Sequence, residues 1–423
     1  MSKQVLAESR DRFNGTIAPR LAAIAGVPTR WKGRGSSRFA YFADDSRFVV
    51  VAGEQEGDET DLALAYGLTY RGKLSLTLVI PEQRAFSTLQ RAPWFTDDVR
   101  PSIWIHDGES AEMRRLPSRK DTISCVSTLL RAGQDFADEL RRAATAIYLR
   151  ERSRDIFDLV EWATKNQLLD PGHRKGERAW HCMGQKVLSI KGTDGGLNIR
   201  GGIHFSADTT ATAFVKTGET LTVRAFEKVK ASVEEGIEAR LRGDRFTRPD
   251  EHWLQAVIRR DPSLVGVEQP ALRELPAWRP RAASSVPPKT GATSSHWGRG
   301  YIDLVGVDGH GDLRLVETKL AENEDDRLIL QGLDYYIWAR AYEDILQTRL
   351  GTPRKSELQV HYVVGDASDG KIRVSRFTAA QADGLHSDVP WWFQTVRNWF
   401  HPDENTFQIE SKLLPPRVVP RSE

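Results

Sequence analysis

The feature that most constrains the fold is a pair of strand-like runs joined by a short glycine-containing segment. The first run covers residues 301–307, the second covers residues 313–320, and residues 308–312 between them include two glycines. Apolar runs of this length on either side of a glycine-bearing turn are typical of a β-hairpin. The sequence therefore predicts two antiparallel neighbouring strands in this region.

Asp303, Glu317 and Lys319 interrupt the apolar pattern of the predicted hairpin. Glu317 and Lys319 are two residues apart, so they share one face of a strand and lie about 6.6 Å apart along it. Leu313 and Leu315 begin that same face as an apolar surface. The other strand of the hairpin can bring Asp303 beside Glu317 across the ladder. The pattern thus predicts two carboxylates and an ammonium group on one surface.

Two neighbouring carboxylates repel one another and raise each other's pKa unless a cation joins them. Mg²⁺ or Mn²⁺ suits this place because these ions prefer oxygen ligands and keep several water molecules. Such an ion polarises a phosphodiester and acidifies a bound water, while a lysine can orient the nucleophile or neutralise developing charge. Asp303, Glu317 and Lys319 are therefore a candidate site for phosphodiester cleavage.

Two helices are predicted on either side of the hairpin in the sequence. Before it, Thr247 can cap a helix that has Pro249 in its first turn. Glu251 points toward the apolar face of that helix, three residues before Leu254. After the hairpin, residues 327–342 show helical spacing. In this second helix the polar pair Gln331 and Tyr335 lies on one face, four residues apart, where it could hold the substrate backbone or the lysine.

With these elements in this order, the sequence resembles the PD-(D/E)XK nuclease superfamily, and most of all its RecB-like and mismatch-endonuclease-like branch. The resemblance covers roughly residues 245–380 and implies a small mixed sheet flanked by helices. It implies metal binding by Glu251, Asp303 and Glu317, and catalytic roles for Asp303, Glu317, Lys319, Gln331 and Tyr335. One departure is Ile302, which stands where the family name has proline, a change that the superfamily tolerates.

A second copy of the motif, near the C-terminus, matches the family name more literally. It consists of Asp403, after a proline, and Glu410 and Lys412. Six residues between Asp403 and Glu410 are too few for two paired strands and a turn. Pro415 and Pro416 also prevent a following helix. We therefore place the site at the first copy.

The remainder of the chain predicts an α/β protein in three segments. Residues 1–134 contain short β-branched runs at 48–52, 74–80 and 103–105 with helical segments between them, which indicates a small parallel α/β unit. Its sequence has neither a phosphate-binding loop nor a dinucleotide-binding glycine motif. Residues 135–243 predict a helical and mixed region that ends in a long helix from 224 to 242. Residues 244–423 form the predicted nuclease-like domain, with a central mixed sheet.

Composition excludes several classes of protein. The chain has 423 residues, 28% of them charged, and neither an apolar run of membrane-spanning length nor a secretory signal pattern, so we expect a cytoplasmic protein without a membrane partner. Its two cysteines, Cys125 and Cys182, cannot form a disulfide scaffold or a site of several thiolates.

A formal charge of +2 does not by itself indicate a nucleic-acid partner. Local basic residues predict phosphate contacts, namely Arg279, Arg281, Lys289 and Arg299.

These observations predict a nuclease that depends on Mg²⁺ or Mn²⁺ and acts on DNA, with the N-terminal regions recognising substrate or regulating cleavage. Two alternatives stay open at this point. The N-terminal α/β unit could be a sensor for a small molecule or protein regulator that gates the nuclease, or the chain could bind nucleic acid without cleaving it. The sequence is compatible with a homo-oligomer, with DNA or RNA of either strandedness, and with a role in repair or in defence.

Overall fold

The computed structural model describes most of the chain. The described residues are 3–27, 38–131, 154–174, 177–193, 196–203, 212–216, 219–243, 249–281, 297–321, 326–352, 356–366, 374–400 and 407–413. Within them, no helix combines the length and apolar character that crossing a membrane requires.

Helices occur throughout the described chain. The α-helices are α1 (Lys3–Arg12), α2 (Ala18–Ile24), α3 (Leu62–Tyr70), α4 (Phe86–Arg91), α5 (Arg119–Arg131), α6 (Arg154–Lys165), α7 (Val223–Arg242), α8 (Glu251–Arg260), α9 (Leu328–Ala341), α10 (Glu343–Leu350) and α11 (Arg376–Gly384).

The strands form three sheets. The first, in the order β1-β2-β3-β4-β5, contains β1 (Ala40–Ala43), β2 (Arg47–Val51), β3 (Ser75–Pro81), β4 (Ser102–His106) and β5 (Ala111–Arg114). The second, in the order β10-β9-β8-β7-β6, contains β6 (Asp170–Arg174), β7 (Glu177–Cys182), β8 (Gln185–Thr193), β9 (Gly196–Gly201) and β10 (Thr212–Val215). The third, in the order β11-β12-β13-β14-β15-β16, contains β11 (Glu268–Pro280), β12 (Trp297–Val307), β13 (Leu313–Leu320), β14 (Leu358–Gly365), β15 (Trp391–Arg397) and β16 (Gln408–Leu413).

The chain divides into two compact units that differ from the three segments expected from the sequence. The first unit contains Met1–Leu129, Gly266–Val396 and Ile409–Glu423, and the second contains Leu130–Val265 and Arg397–Gln408. The N-terminal α/β region and the third sheet therefore belong to one unit. The protein is a mixed α/β protein, and its first unit is discontinuous in sequence.

The first sheet has the parallel centre that the sequence predicts. Strands β2, β3 and β4 are parallel, and β1 and β5 extend the sheet antiparallel at its two edges. The central strands are runs of Val, Leu and Ile that are buried on both faces, as parallel strands between helices require. Helix α3 follows β2, and it packs against β2, β3 and also α11. The ring of Tyr66 on α3 lies 4.9 Å from that of Phe377 on α11.

The third sheet contains the predicted hairpin. Strands β11, β12 and β13 are antiparallel neighbours, whereas β13, β14 and β15 are parallel. The predicted helix at residues 327–342 is confirmed as α9, which packs against β11, β13 and β14. The sheet is thus mixed, and α9 lies across the strands that contain Asp303 and Glu317.

The second unit contains an antiparallel five-stranded sheet with α6, α7 and α8. The predicted long helix is confirmed as α7, which ends at Gly243 in the left-handed conformation, with φ of 69°. The helical pattern predicted from residue 135 onward is confirmed in α6, while residues 135–153 lie outside the described part of the chain.

Two local predictions are wrong. Helix α8 begins at Glu251, and its cap is Asp250, which accepts a hydrogen bond from the Trp253 backbone N–H; Thr247, predicted as the cap, lies outside the described residues. The aromatic residues near the C-terminus, Trp391, Trp392, Trp399 and Phe400, predict from the sequence a terminal helix that packs against the core. Trp391 and Trp392 instead belong to strand β15, because pairing with β14 provides the backbone hydrogen bonds that a helix would have formed locally.

Candidate active site

Asp303 lies where the two strands of the hairpin stop pairing. The β12–β13 ladder runs from Val307 paired with Leu313 to Leu304 paired with Val316. At the next position, residue 303, the contact with β13 is formed by a side chain and not by the backbone. Its Oδ2 accepts the Thr318 backbone N–H at 2.9 Å and the Thr318 hydroxyl at 2.6 Å. The carboxylate is therefore fixed by β13, beside Glu317.

Glu317 is buried in the middle of β13 and faces α9. The residue has an exposed fraction of 3%, and its carboxylate accepts a hydrogen bond from the Gln331 side-chain amide of α9. In the parallel neighbour β14, Tyr362 is its register partner. The Tyr362 hydroxyl donates to the Ile329 carbonyl at 3.1 Å, which joins β14 to the first turn of α9. The sheet thereby holds both Glu317 and the helix that positions it.

Gln331 and Tyr335 form a hydrogen-bonded chain that leads away from Glu317. The Gln331 amide also donates to the Tyr335 hydroxyl oxygen at 3.2 Å. The Tyr335 hydroxyl in turn donates to the Tyr301 backbone carbonyl on β12 at 2.9 Å. The spacing of four residues that the sequence indicated does place both side chains on one face of α9. This chain ties the helix to both strands of the hairpin.

The Tyr335 hydroxyl is neutral at ordinary pH. Burial raises its pKa well above the usual range, and the nearby carboxylates of Glu317 and Asp303 raise it further because they disfavour a phenolate. Arg279 and Gln331 act in the opposite direction but do not outweigh these effects. Tyr335 is consequently suited to donate a hydrogen bond and not to act as a base. Both carboxylates lie close enough to act on this one hydroxyl.

Lys319 occupies the position that the strand period predicts. It is half-buried on β13, two residues beyond Glu317 and on the same side of the strand, with Val364 of β14 as its register partner. The structure therefore joins Glu317, Gln331 and Tyr335 by hydrogen bonds of their side chains. It holds Asp303 against Thr318, the neighbour of Glu317, and places Lys319 on the same strand.

Glu251 belongs to the second unit. It is the first residue of α8, it is half-buried, and it accepts a hydrogen bond from Gln255 at 3.4 Å one turn later. Its predicted place among the metal ligands stays a prediction.

The donor atoms at Asp303 and Glu317 fit a hard divalent cation. Within the part of the chain that the structure describes, no group of three or more His, Cys, Asp or Glu side chains is arranged to hold a metal ion. Two carboxylates nevertheless suffice for Mg²⁺, which is usually bound by one or two carboxylates together with water and substrate phosphate.

The four predicted phosphate-contacting residues have different outcomes. Arg279 is half-buried near the end of β11, and its guanidinium carbon lies 5.5 Å from the centre of the Tyr335 ring. Arg281 follows β11 and is exposed. Arg299 pairs with Trp278 in the ladder, although its side chain lies outside the description, as does all of Lys289.

Sequence reasoning missed the buried ion pair behind the site. Arg91 of α4 donates from Nε and Nη2 to the two carboxylate oxygens of Asp334 on α9, each at 2.8 Å. Its Nη1 lies 3.6 Å from Asp61. The one signal in the sequence was an acid between Gln331 and Tyr335 in an otherwise apolar helix. Asp334 needs a buried cation as its partner, and the sequence did not show which arginine this would be.

Comparison with known proteins adds no relative. No protein-family model matches the chain, and no curated protein matches it.

Proposed function

We propose that the protein is a divalent-metal-dependent nuclease that hydrolyses phosphodiester bonds in DNA. The observation that carries the proposal is the fixed pair of carboxylates on neighbouring strands, with Asp303 held by Thr318 and Glu317 held by Gln331. Glu317 is buried and Asp303 is half-buried, and two neighbouring carboxylates repel one another unless a cation joins them. The order of hairpin, helix and parallel strand supports a restriction-endonuclease-like fold for the third sheet.

Asp303 and Glu317 would hold Mg²⁺ or Mn²⁺. When bound, the ion would polarise the phosphodiester and supply a water that is more acidic than bulk water. Thr318 and Gln331 keep the two carboxylates in a single orientation, so little reorganisation is needed when substrate arrives. Lys319, on the same side of β13, would neutralise negative charge that develops on the phosphate. Tyr335, neutral and hydrogen-bonded, keeps Gln331 in place.

A ligand-gated nuclease is the second candidate, and one cavity in the first unit favours it. This cavity has a volume of about 750 Å³, and three arginines, Arg100, Arg115 and Arg119, are part of its lining. Arg119 Nη1 lies 2.9 Å from Asp388, whose backbone carbonyl accepts the Tyr336 hydroxyl of α9. A bound anion could therefore act on the helix that contains Gln331 and Tyr335. Cleavage that appears only after a nucleotide is added would support this second candidate.

The test is cleavage of supercoiled plasmid, linear duplex, single-stranded DNA and RNA in Mg²⁺ or Mn²⁺. Wild type is compared with Asp303→Ala and Lys319→Ala. The matched control is Lys412→Ala, which alters the literal copy of the motif on β16. We expect each site variant to lose at least about 100-fold in rate, Lys412→Ala to cleave like wild type, and EDTA to abolish cleavage.

Two results would overturn the proposal. Cleavage that survives in both site variants would mean that the reaction occurs elsewhere in the chain. Binding of nucleic acid by wild type without cleavage of any substrate, with either metal and with added nucleotide, would instead identify a protein that binds nucleic acid without cleaving it.

A further inference from the structure

We infer that Arg279 binds a backbone phosphate of the DNA next to the bond that is cleaved, and that Tyr335 and Gly300 hold its guanidinium for this purpose. The inference rests on the proposed function and adds to it the residue that meets the charge of the substrate. It also gives Tyr335 a second role, as the platform for that residue.

Tyr335 offers a rigid aromatic face to Arg279. The guanidinium carbon lies 5.5 Å from the ring centre, which is within the range of a cation–π contact. Tyr335 as a whole has an exposed fraction of 2%, and its hydroxyl donates a hydrogen bond to the Tyr301 carbonyl. A guanidinium stacked in this way keeps its N–H edges available in the plane of the group, where they suit bidentate binding of a phosphate.

Gly300 on the neighbouring strand leaves the room that this arrangement needs. A Cβ atom at position 300 would lie 2.7 Å from Nε of Arg279 and 2.8 Å from the hydroxyl oxygen of Tyr335. Any other residue would force one of the two side chains to move. Gly298, two residues earlier, would bring a Cβ atom to 3.2 Å from Cδ of Arg281. Gly298 and Gly300 of β12 thus accommodate two arginine side chains, that of Arg279 near the end of β11 and that of Arg281 just after it.

The buried acid of α9, Asp334, has an ion-pair partner other than Arg279. Both oxygens of Asp334 accept hydrogen bonds from Arg91, and Arg279 adds only a weaker electrostatic effect on this carboxylate. Meanwhile Arg279 and the two carboxylates of Asp303 and Glu317 all act electrostatically on one atom, the Tyr335 hydroxyl. A phosphate that approaches two carboxylates is repelled. The Arg279 guanidinium beside the Tyr335 ring offsets that repulsion and fixes the position of the phosphate.

The test is equilibrium binding of a fluorescein-labelled DNA duplex by the full chain in Ca²⁺, measured across a series of salt concentrations. We expect Arg279→Ala to weaken binding by about tenfold or more, as loss of a charged hydrogen bond implies, and to reduce the slope of log K against log salt by about 1. Arg279→Lys should keep the slope, because the charge is kept, and should bind with intermediate affinity. Melting temperatures are recorded for every variant to verify folding.

Two matched variants separate position from charge. Gly300→Ala leaves every charge in place but displaces Arg279, so we expect weaker binding at each salt concentration; Gly298→Ala, whose nearest contact is looser, should have a smaller effect. Arg273→Ala removes an exposed arginine from the same strand, six residues and about 20 Å away, and should leave affinity near that of wild type.

The outcomes distinguish this inference from the proposed function. Wild-type affinity and salt slope in Arg279→Ala would overturn the inference alone, as would equal losses in Arg279→Ala and Arg273→Ala. Binding that depends on Arg279, in a protein that cleaves nothing, would overturn the proposed function and leave the phosphate contact standing. Absence of any DNA binding by wild type would overturn both.

Discussion

Arg91 and Asp334 form a buried, bidentate ion pair that joins helix α4 to helix α9. Nε and Nη2 of Arg91 each lie 2.8 Å from one oxygen of Asp334, and Nη2 also donates to the Pro280 carbonyl at the end of β11. Burial alone would lower the pKa of Arg91, but the carboxylates of Asp334 and Asp61 outweigh it and raise the pKa, so the guanidinium is charged. The N-terminal α/β region thus fixes the helix that contains Gln331 and Tyr335.

Arg91→Ala should be strongly destabilising, because it leaves the Asp334 carboxylate buried without its cation. We expect a loss of about 3–5 kcal/mol in the free energy of unfolding, measured by chemical denaturation at pH 7. The control is Arg327→Ala, whose partner is Glu59. Their side chains have exposed fractions of 37% and 45%, so this pair should contribute at most about 1 kcal/mol. A loss as small as that of the control would mean that Asp334 finds another partner.

Thr318→Val should weaken metal binding while the fold is kept. Valine retains the shape of threonine but removes the hydroxyl that donates to Asp303 at 2.6 Å. Residues that hydrogen-bond to a metal ligand typically contribute tenfold to 100-fold in metal affinity or in activity. We therefore expect the Mg²⁺ concentration for half-maximal cleavage to rise by about tenfold. Thr318→Ser keeps the hydroxyl and should behave like wild type; an equal effect in the two variants would contradict a role for this hydrogen bond.

Local patterns in the sequence were sufficient to predict the elements that contain the candidate site. The hairpin and α9 follow from strand and helix periodicity, which depends on residues near one another in the chain. The face shared by Gln331 and Tyr335 is a consequence of the same helical period, and both side chains do meet in the structure. For these elements the residues that form the pattern also form the contacts.

What the sequence did not predict depends on partners that are distant in the chain. Arg91 and Asp334 are 243 residues apart, so no local window contains both. The end of the β12–β13 ladder, where Asp303 takes the Thr318 N–H, depends on how the strands diverge and not on their composition. The sequence predicts a helix at Trp391 because local sequence patterns do not show that this segment pairs with β14. Pairing between distant segments overrides local preference in each case.

Tyr335→Phe and Tyr335→Leu should separate the two roles of this side chain. Phenylalanine keeps the aromatic face beside Arg279 but loses the hydrogen bonds to Gln331 and to the Tyr301 carbonyl. We expect Tyr335→Phe to lower the cleavage rate by about tenfold or more while DNA affinity stays near wild type, because Gln331 loses its anchor. Tyr335→Leu should lower the rate and also the affinity. Equal DNA affinity in the two variants would argue against the platform role, provided that both melt cooperatively.

Acidification should destabilise the first unit through His106, at the end of β4. Burial lowers the pKa of this imidazole, and it outweighs the opposing hydrogen bond to the Ala52 carbonyl at 2.8 Å. The folded protein therefore binds fewer protons at this residue than the unfolded chain does. The contribution of His106 to the free energy of unfolding should be fully present above the unfolded pKa of about 6.5. It should be lost as the pH drops from there toward the lower folded pKa.

His106→Gln removes the titrating group, so denaturation midpoints between pH 7.5 and 5.5 should depend less on pH in that variant. A residual slope is expected from His386, whose pKa burial also lowers. If the variant and wild type lose stability in parallel over this range, His106 is not the group responsible.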